Sequence, residues 1–226
     1  RGRPAFAVCR SSIERQLTRP YSIQGLVLDD LRKREMYYRP TEIRDGRMFD
    51  LISDHPCSTE FAISRFLVPM IAGSGYAVFM DCDIMARVNL GRILDYVNPN
   101  NAVTVVKHHH EPPAGIKMDG QLQSQYARKN WSSVMVFNCD HPGNKGLTVK
   151  AVNTVPGRDL HRFFWLHDSE IGELSAEWNF LVGHTILPEG VNPKLVHWTN
   201  GAPCMPGYEG APYANEFWKE LIRWAR

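Results

Sequence analysis

The sequence predicts an α/β fold, Rossmann-like, with a mostly parallel central sheet flanked by helices. Three observations carry this expectation. Segments of strand length at residues 76–80, 102–106, 133–137 and 194–198, the first three largely apolar, alternate with stretches that read as helices except across a polar connection at 111–130. The run Tyr76-Ala77-Val78-Phe79-Met80 is non-polar throughout, as suits a strand covered on both faces. It then stops at Asp81 and Asp83, and the carboxyl edge of an open α/β sheet is where ligands bind.

A chain of 226 residues, 43% hydrophobic and 22% charged, is expected to form one globular domain over residues 1–226. Its 26 basic and 24 acidic residues are mixed along the chain, which leaves no polybasic footprint and argues against a nucleic-acid partner. Cys9, Cys57, Cys82, Cys139 and Cys204 lie far apart and form no C-x-x-C pair, against both a disulfide framework and a zinc ribbon. With no apolar run of the roughly 18 residues of a membrane span and no visible signal peptide, the expectation is a cytoplasmic protein without a transmembrane segment.

Taken in order, residues 4–17 read as a helix, with Pro4 in the first turn and Phe6, Cys9, Ile13 and Leu17 at spacings of three and four. Residues 22–28 read as a strand, after which Asp29 and Asp30 open a short polar helix. A helix ahead of the first visible strand implies that the chain begins one strand late. Residues 39–57 read as a surface excursion, and 59–72 as a helix capped by Thr59 and bent at Pro69. Helix, strand and carboxylates then outline a right-handed crossover.

Residues 89–97 suggest a short helix, and 102–106 a strand ending in Lys107, His108, His109 and His110. Neighbouring strand residues face opposite ways, so the three imidazoles do not converge on one ion and one of them faces the cleft. After a polar connection over 111–130, Arg128 and Lys129 stand before the strand at 133–137, either reaching a phosphate or serving as surface charge. Residues 147–153, 159–166 and 176–182 read as helices. Between them Asp168, Glu170, Glu173 and Glu177 accompany Trp165 and Trp178, a carboxylate and indole pattern that suits a sugar or, equally, a polar loop. The strand at 194–198 precedes Asn200 and Gly201, and 213–224 forms an amphipathic helix with Phe217, Leu221 and Trp224 on one side.

Carboxylates at i and i+2 of an extended segment point the same way and repel, so a site holding Asp81 and Asp83 ionised needs a cation or strong donors. Oxygen ligands suit magnesium or manganese, which suit a diphosphate. The alternative is a turn that caps a following helix.

The strand ending Phe79-Met80-Asp81-Cys82-Asp83, the strand Ser132-Ser133-Val134-Met135-Val136-Phe137-Asn138 and the late His197-x-x-x-Gly201 resemble the GT-A glycosyltransferases. The likeness is to family 8 and its bacterial and phage-associated branch, the group of glycogenin and the lipopolysaccharide galactosyltransferases. Ala5-x-x-Val8-x-x-x-Ser12-Ile13 is similar to the helix after that family's first strand, and Ser64-Arg65-Phe66-Leu67-Val68-Pro69 to its Tyr-x-Arg-x-x-x-Pro stretch.

The resemblance implies a GT-A domain that moves a sugar from a nucleotide-diphosphate-sugar, a UDP-sugar, to a hydroxyl of a saccharide or other acceptor, with retention. It implies Mn2+ or Mg2+ held by Asp83 and His197, with Asp81 sharing the metal or holding the ribose. Arg65 lies beside the donor, and Asn200 and Gly201 approach the diphosphate through backbone donors, glycine permitting close contact. The family's lysine after the late glycine is replaced near Ala202-Pro203-Cys204, so Lys107 or Lys129 supplies that cation. On the sugar side the candidates are Asp168, Glu170 and Asn179, none of them assigned as a covalent nucleophile. The family's first strand has no counterpart before Arg1, and its late Asp-Gln-Asp run is absent. Competing readings are a sugar nucleotidyltransferase, which needs a glycine-rich N-terminal loop, a phosphatase with Asp81 as nucleophile, and a non-catalytic nucleotide-sugar-binding protein of the same fold.

Overall fold

The computed structural model describes residues 3–57, 62–108, 128 and 131–226. Helix α1 (Arg3–Glu14) packs on the C-terminal helix α6 (Ala214–Trp224) and against the short strand β5 (Ile84–Ala86). It is pinned by the buried Ser12, whose hydroxyl donates to Cys9 O and accepts the Ala86 N–H at 3.0 Å. The expected strand at 22–28 is not formed. Ile23 packs on one side of the molecule while Leu26 and Leu28 pack on the other, so this segment crosses between two cores, and α2 (Leu28–Lys33) opens at its end.

Residues 39–57 are more ordered than a surface excursion. β1 (Thr41–Arg44), β2 (Arg47–Asp50) and β3 (His55–Pro56) make an antiparallel sheet whose first turn is Asp45-Gly46, both at positive φ (50° and 73°). That is the turn an Asp-Gly pair favours between two strands. The sheet is anchored by Arg39, whose Nε and Nη2 each lie 2.6 Å from a carboxylate oxygen of Asp50, while Nη1 donates to Val152 O at 2.9 Å and Val155 O at 2.7 Å.

The main sheet runs β4-β7-β6-β8, from β4 (Tyr76–Met80) through β7 (Val134–Asn138) and β6 (Val103–Val106) to β8 (Ile171–Leu174). The α/β architecture is as expected, but strand directions are more mixed: β4 and β6 both run antiparallel to β7, and of the three neighbouring pairs in this sheet β6 and β8 are the parallel one. The chain leaves β6 and re-enters β7 at the same end, where Trp131 Nε1 donates to His108 O at 3.2 Å, so the two strands must run oppositely. An apolar run reports burial on both faces without reporting direction. Nor is β4 the buried strand expected; it stands at an edge with Tyr76 exposed, and β6 and β7 fill the middle. Met135 and Phe137 enter the core under Phe66, Leu160 and Phe163, while Val134 and Val136 enter the core with Ile84, Ile93 and Leu195, the two-residue period of a strand.

A second sheet, β5-β10-β9, sets β10 (Leu195–His197) antiparallel to β5 and parallel to β9 (Phe180–Leu181). Several expected helices shorten. Of 59–72 the described part is a 3-10 turn, Ser64–Leu67, and α3 (Val68–Ala72), with Pro69 near the start of α3 where it breaks no hydrogen bond; Thr59 lies outside the described residues. α4 (Val149–Thr154) begins at Thr148, which accepts the Ala151 N–H, α5 (Gly157–His161) follows, and 176–182 divides into a 3-10 turn, Ala176–Asn179, and β9. On α6 Phe217 is buried, but Trp224 is 46% exposed and does not share its face.

Candidate metal and donor site

Because β4 and β6 run the same way, the ends of both and the start of β7 meet at one edge of the main sheet. Asp81 follows β4 there, its N–H donating to Ser133 O at 3.0 Å. β5 begins at Ile84, which pairs directly with His197 in β10, and Trp198 N donates to Asp83 O at 3.1 Å. This register brings His197 Nε2 to 3.4 Å from Asp83 Oδ1. One ligand atom from each of Asp81, Asp83 and His197 lies within 4.8 Å of the others. An octahedral ion with bonds of about 2.1 Å has neighbouring ligands about 3 Å apart and opposite ones about 4 Å apart. The donor set, two carboxylates and an imidazole within that reach, fits a divalent cation. His197 is 2% exposed and walls the site, while both carboxylates are half-buried and reach solvent.

Arg65 comes from the Ser64–Leu67 turn. Its Nη2 lies 2.9 Å from Asp81 Oδ1, Nη1 donates to Ser132 O at 2.8 Å and Nε to Ala62 O at 2.7 Å, with the guanidinium 4.9 Å from the Phe79 ring centre. Burial pushes the Asp81 carboxyl above its ordinary range; Arg65 and His197 oppose that and Asp83 adds to it. A cation placed here relieves the same repulsion. Between the aspartates, the Cys82 thiol, exposed at its surface yet partly desolvated, is pushed up to about 11 by that desolvation and by the two carboxylates, so it stays protonated at neutral pH.

Behind His197 lies Asn179, fully buried. Its side chain reaches His197 Nδ1 at 3.0 Å, Ser133 Oγ at 2.8 Å and His108 Nε2 at 3.0 Å. Asn179 was expected on the sugar side and is instead packed behind the ring. His108 is the member of the histidine run that turns inward, and burial together with His197 lowers it to about 4; His109 and His110 lie outside the described residues.

Other expected site residues are placed differently. Glu170 precedes β8, which starts beside the start of β6, so it lies at the opposite end of the sheet from Asp81; its Oε2 accepts the His167 N–H at 2.8 Å, capping its own turn. Asp168 is 88% exposed and ion-pairs with Arg128. Among the described residues neither joins the cluster of Asp81, Asp83 and His197. Lys107 does follow β6 at the Asp81 end, its Nζ 5.8 Å from the Trp131 ring centre, whereas Lys129 lies outside the described residues. Asn200 Nδ2 meets His184 Nε2 at 3.0 Å. The Gly201 N–H is already donated to Trp198 O at 2.9 Å, and a Cβ on Gly201 would come within 2.6 Å of the Tyr208 ring. Its missing side chain therefore makes room for Tyr208.

His161, with no role expected from the sequence, and Ser132 complete the surroundings of Arg65. Ser132 Oγ lies 2.7 Å from His161 Nδ1, and burial together with Arg65 lowers His161 to about 3, leaving a neutral ring beside the arginine that holds Asp81. Two serines directly before a buried strand were the available signal.

No known protein-family profile matches the sequence. Protein CDI of Arabidopsis thaliana is 38% identical over 221 residues, covering 96% of this chain and 81% of that protein. The chain belongs to the CDI family. That relative is a plant protein, whereas the motifs resembled a bacterial and phage-associated branch. Among solved structures the fold is similar to the bifunctional glycosyltransferase WbbM, with TM-score 0.60, 17% identity, and coverage of 97% of this chain and 47% of that one. It is also similar to the galactosyltransferase LgtC in complex with donor and acceptor sugar analogues, with TM-score 0.58, 14% identity, and coverage of 97% and 91%. For GlyE of Streptococcus pneumoniae TIGR4 the TM-score is 0.53 at 12% identity, with coverage of 98% and 58%. This CDI-family chain thus spans about half the length of WbbM and rather more of GlyE, and its fold is that of the GT-A glycosyltransferases.

Proposed function

We propose that the protein is a metal-dependent glycosyltransferase of the family 8 type that moves a sugar from a nucleotide-diphosphate-sugar, a UDP-sugar, to an acceptor hydroxyl with retention, working as a single domain over residues 1–226. The observation that carries this is the meeting of Asp81, Asp83 and His197 within 4.8 Å at the carboxyl edge of β4. Asp83 and His197 hold the divalent ion, with Asp81 sharing it. When bound, that ion supplies a Lewis acid for the charge that gathers on a leaving diphosphate.

The remaining work falls to the chain's own groups. Arg65 fixes Asp81 from behind and brings positive charge to the donor side of the cleft. Lys107 is the described cation at the end of β6 available to a phosphate. Asp168 and Glu170 have no part in this reading, since their carboxylates serve an ion pair and a turn. Five free cysteines support a reducing, cytoplasmic setting, and no described helix is long and apolar enough to cross a membrane.

The test is hydrolysis and transfer assayed with a panel of nucleotide-sugars, each with and without manganese. Manganese-dependent release of UDP from a UDP-sugar, lost in Asp83→Ala, is the expected result. Turnover independent of metal would overturn the reading. Pyrophosphate release from a nucleoside triphosphate and a sugar phosphate would point to a nucleotidyltransferase, and metal-dependent binding without turnover to a binding protein.

A further inference from the structure

The Asn179 carboxamide has three partners and one orientation that satisfies them all. A carboxamide nitrogen carries two hydrogens and the oxygen only lone pairs. With Nδ2 toward Ser133 Oγ and His108 Nε2, at 2.8 and 3.0 Å, both hydrogens are used and His108 Nε2 accepts one. At the Oδ1 end the partner among the described residues is His197 Nδ1, so turned the other way Nδ2 would use one of its two hydrogens there while the oxygen faced Ser133 Oγ and His108 Nε2. Oδ1 therefore faces His197 Nδ1 at 3.0 Å, and an oxygen without hydrogens can only accept. Nδ1 therefore carries a proton whether or not Nε2 does, and Nε2 is the nitrogen that faces Asp83 Oδ1, at 3.4 Å.

We infer that Asn179 is a positioning residue that holds His197 as the Nδ1–H tautomer, with the Nε2 lone pair directed into the space between Asp81 and Asp83. Its relevance to catalysis rests on the metal reading proposed above. Which ring nitrogen of a histidine carries the proton is set by the bond the other nitrogen makes, and partners of this kind govern how well an imidazole ligates. Asn179 closes the Ala176–Asn179 turn before β9, Ser133 stands at the entry to β7, and His108 follows β6. The orientation of one ring is thereby tied to both sheets at the edge where the aspartates project. A buried asparagine with only a packing role has no need to match its donor and acceptor ends to three polar partners.

The test reads the tautomer first. Long-range proton–nitrogen correlation spectra of 15N-labelled, metal-free protein are recorded at alkaline pH, with His197 assigned by its loss in His197→Gln. The wild type is expected to show a protonated Nδ1 and a bare Nε2. Asn179→Asp, which keeps an acceptor, preserves that pattern, and Asn179→Leu, of similar size without one, loses it. In the same proteins manganese affinity, read from the free-ion EPR signal, is expected to fall about 10- to 100-fold for Asn179→Leu and to stay near wild type for Asn179→Asp. A protonated Nε2 in the wild type overturns the inference without recourse to any variant, and so does an Asn179→Leu protein that keeps both tautomer and affinity. Should the wild type fail to bind manganese while the tautomer behaves as expected, the positioning role stands and the metal reading falls.

Discussion

Among the described residues Asp83, unlike Asp81, pairs with no guanidinium; its close polar neighbour is the His197 ring, and the other carboxylate stands two positions earlier in the chain. Removing its charge should therefore separate function from stability. Asp83→Asn is expected to lower metal-dependent turnover on the order of 10²- to 10³-fold, as loss of a main electrostatic contact does, while leaving the melting temperature of the metal-free protein unchanged or raised, because like charges no longer crowd the edge. Scanning calorimetry beside the turnover assay checks both. His161 and His108 make a second residue-scale prediction. Both are held neutral by burial, at about 3 and about 4, whereas in the unfolded chain they titrate near about 6.5. Between those values the unfolded state binds more protons, so the folded state loses stability as pH falls below about 6.5, by at most about 1.4 kcal/mol per pH unit for each histidine. Urea titrations at stepped pH should show that slope, and His161→Gln should flatten it by up to one proton.

At the scale of elements, β4 was legible because a strand announces itself in about five apolar residues ended by charge, while β10, Leu195-Val196-His197, carries a weaker signal of the same kind. The segment at 22–28 carries comparable apolar content and forms no strand, since its side chains serve two different cores in turn. The hairpin of β1 and β2 had a sequence signal, Asp45-Gly46, set among polar residues that read as surface. What keeps that ribbon in place is Arg39, which sits with Asp50 almost wholly out of solvent and donates through Nη1 to the carbonyls at the end of α4 and through Nη2 to Ser53 Oγ. Arg39→Met leaves the Asp50 charge buried and two carbonyls unserved, and is expected to cost about 3–5 kcal/mol in urea denaturation. A loss below about 1 kcal/mol would mean that the ribbon is held by its strands alone.

For the whole molecule, ligand linkage provides the prediction. If the cleft at Asp81, Asp83 and His197 takes a metal and a nucleotide diphosphate together, manganese with UDP at about 100 times the dissociation constant stabilises the fold by about 2.7 kcal/mol. Neither component alone should give a shift of that size, and Asp83→Asn should remove it. Read by thermal unfolding, an equal shift with UDP in the presence of a chelator would contradict a metal-bridged site.

By itself the sequence determined the chemistry available: two carboxylates closing one strand, an imidazole closing another, and an arginine ahead of both. Those are local facts, set by the length of an apolar run and by what ends it. Only the tertiary structure decided which of them meet. The pairing of His197 with Ile84 carries the ring to Asp83, the parallel course of β6 and β8 sends Glu170 to the far edge, and Asn179 turns inward behind the ring. Strand direction and register follow from which faces are buried together across the fold, and that depends on residues far apart in the chain.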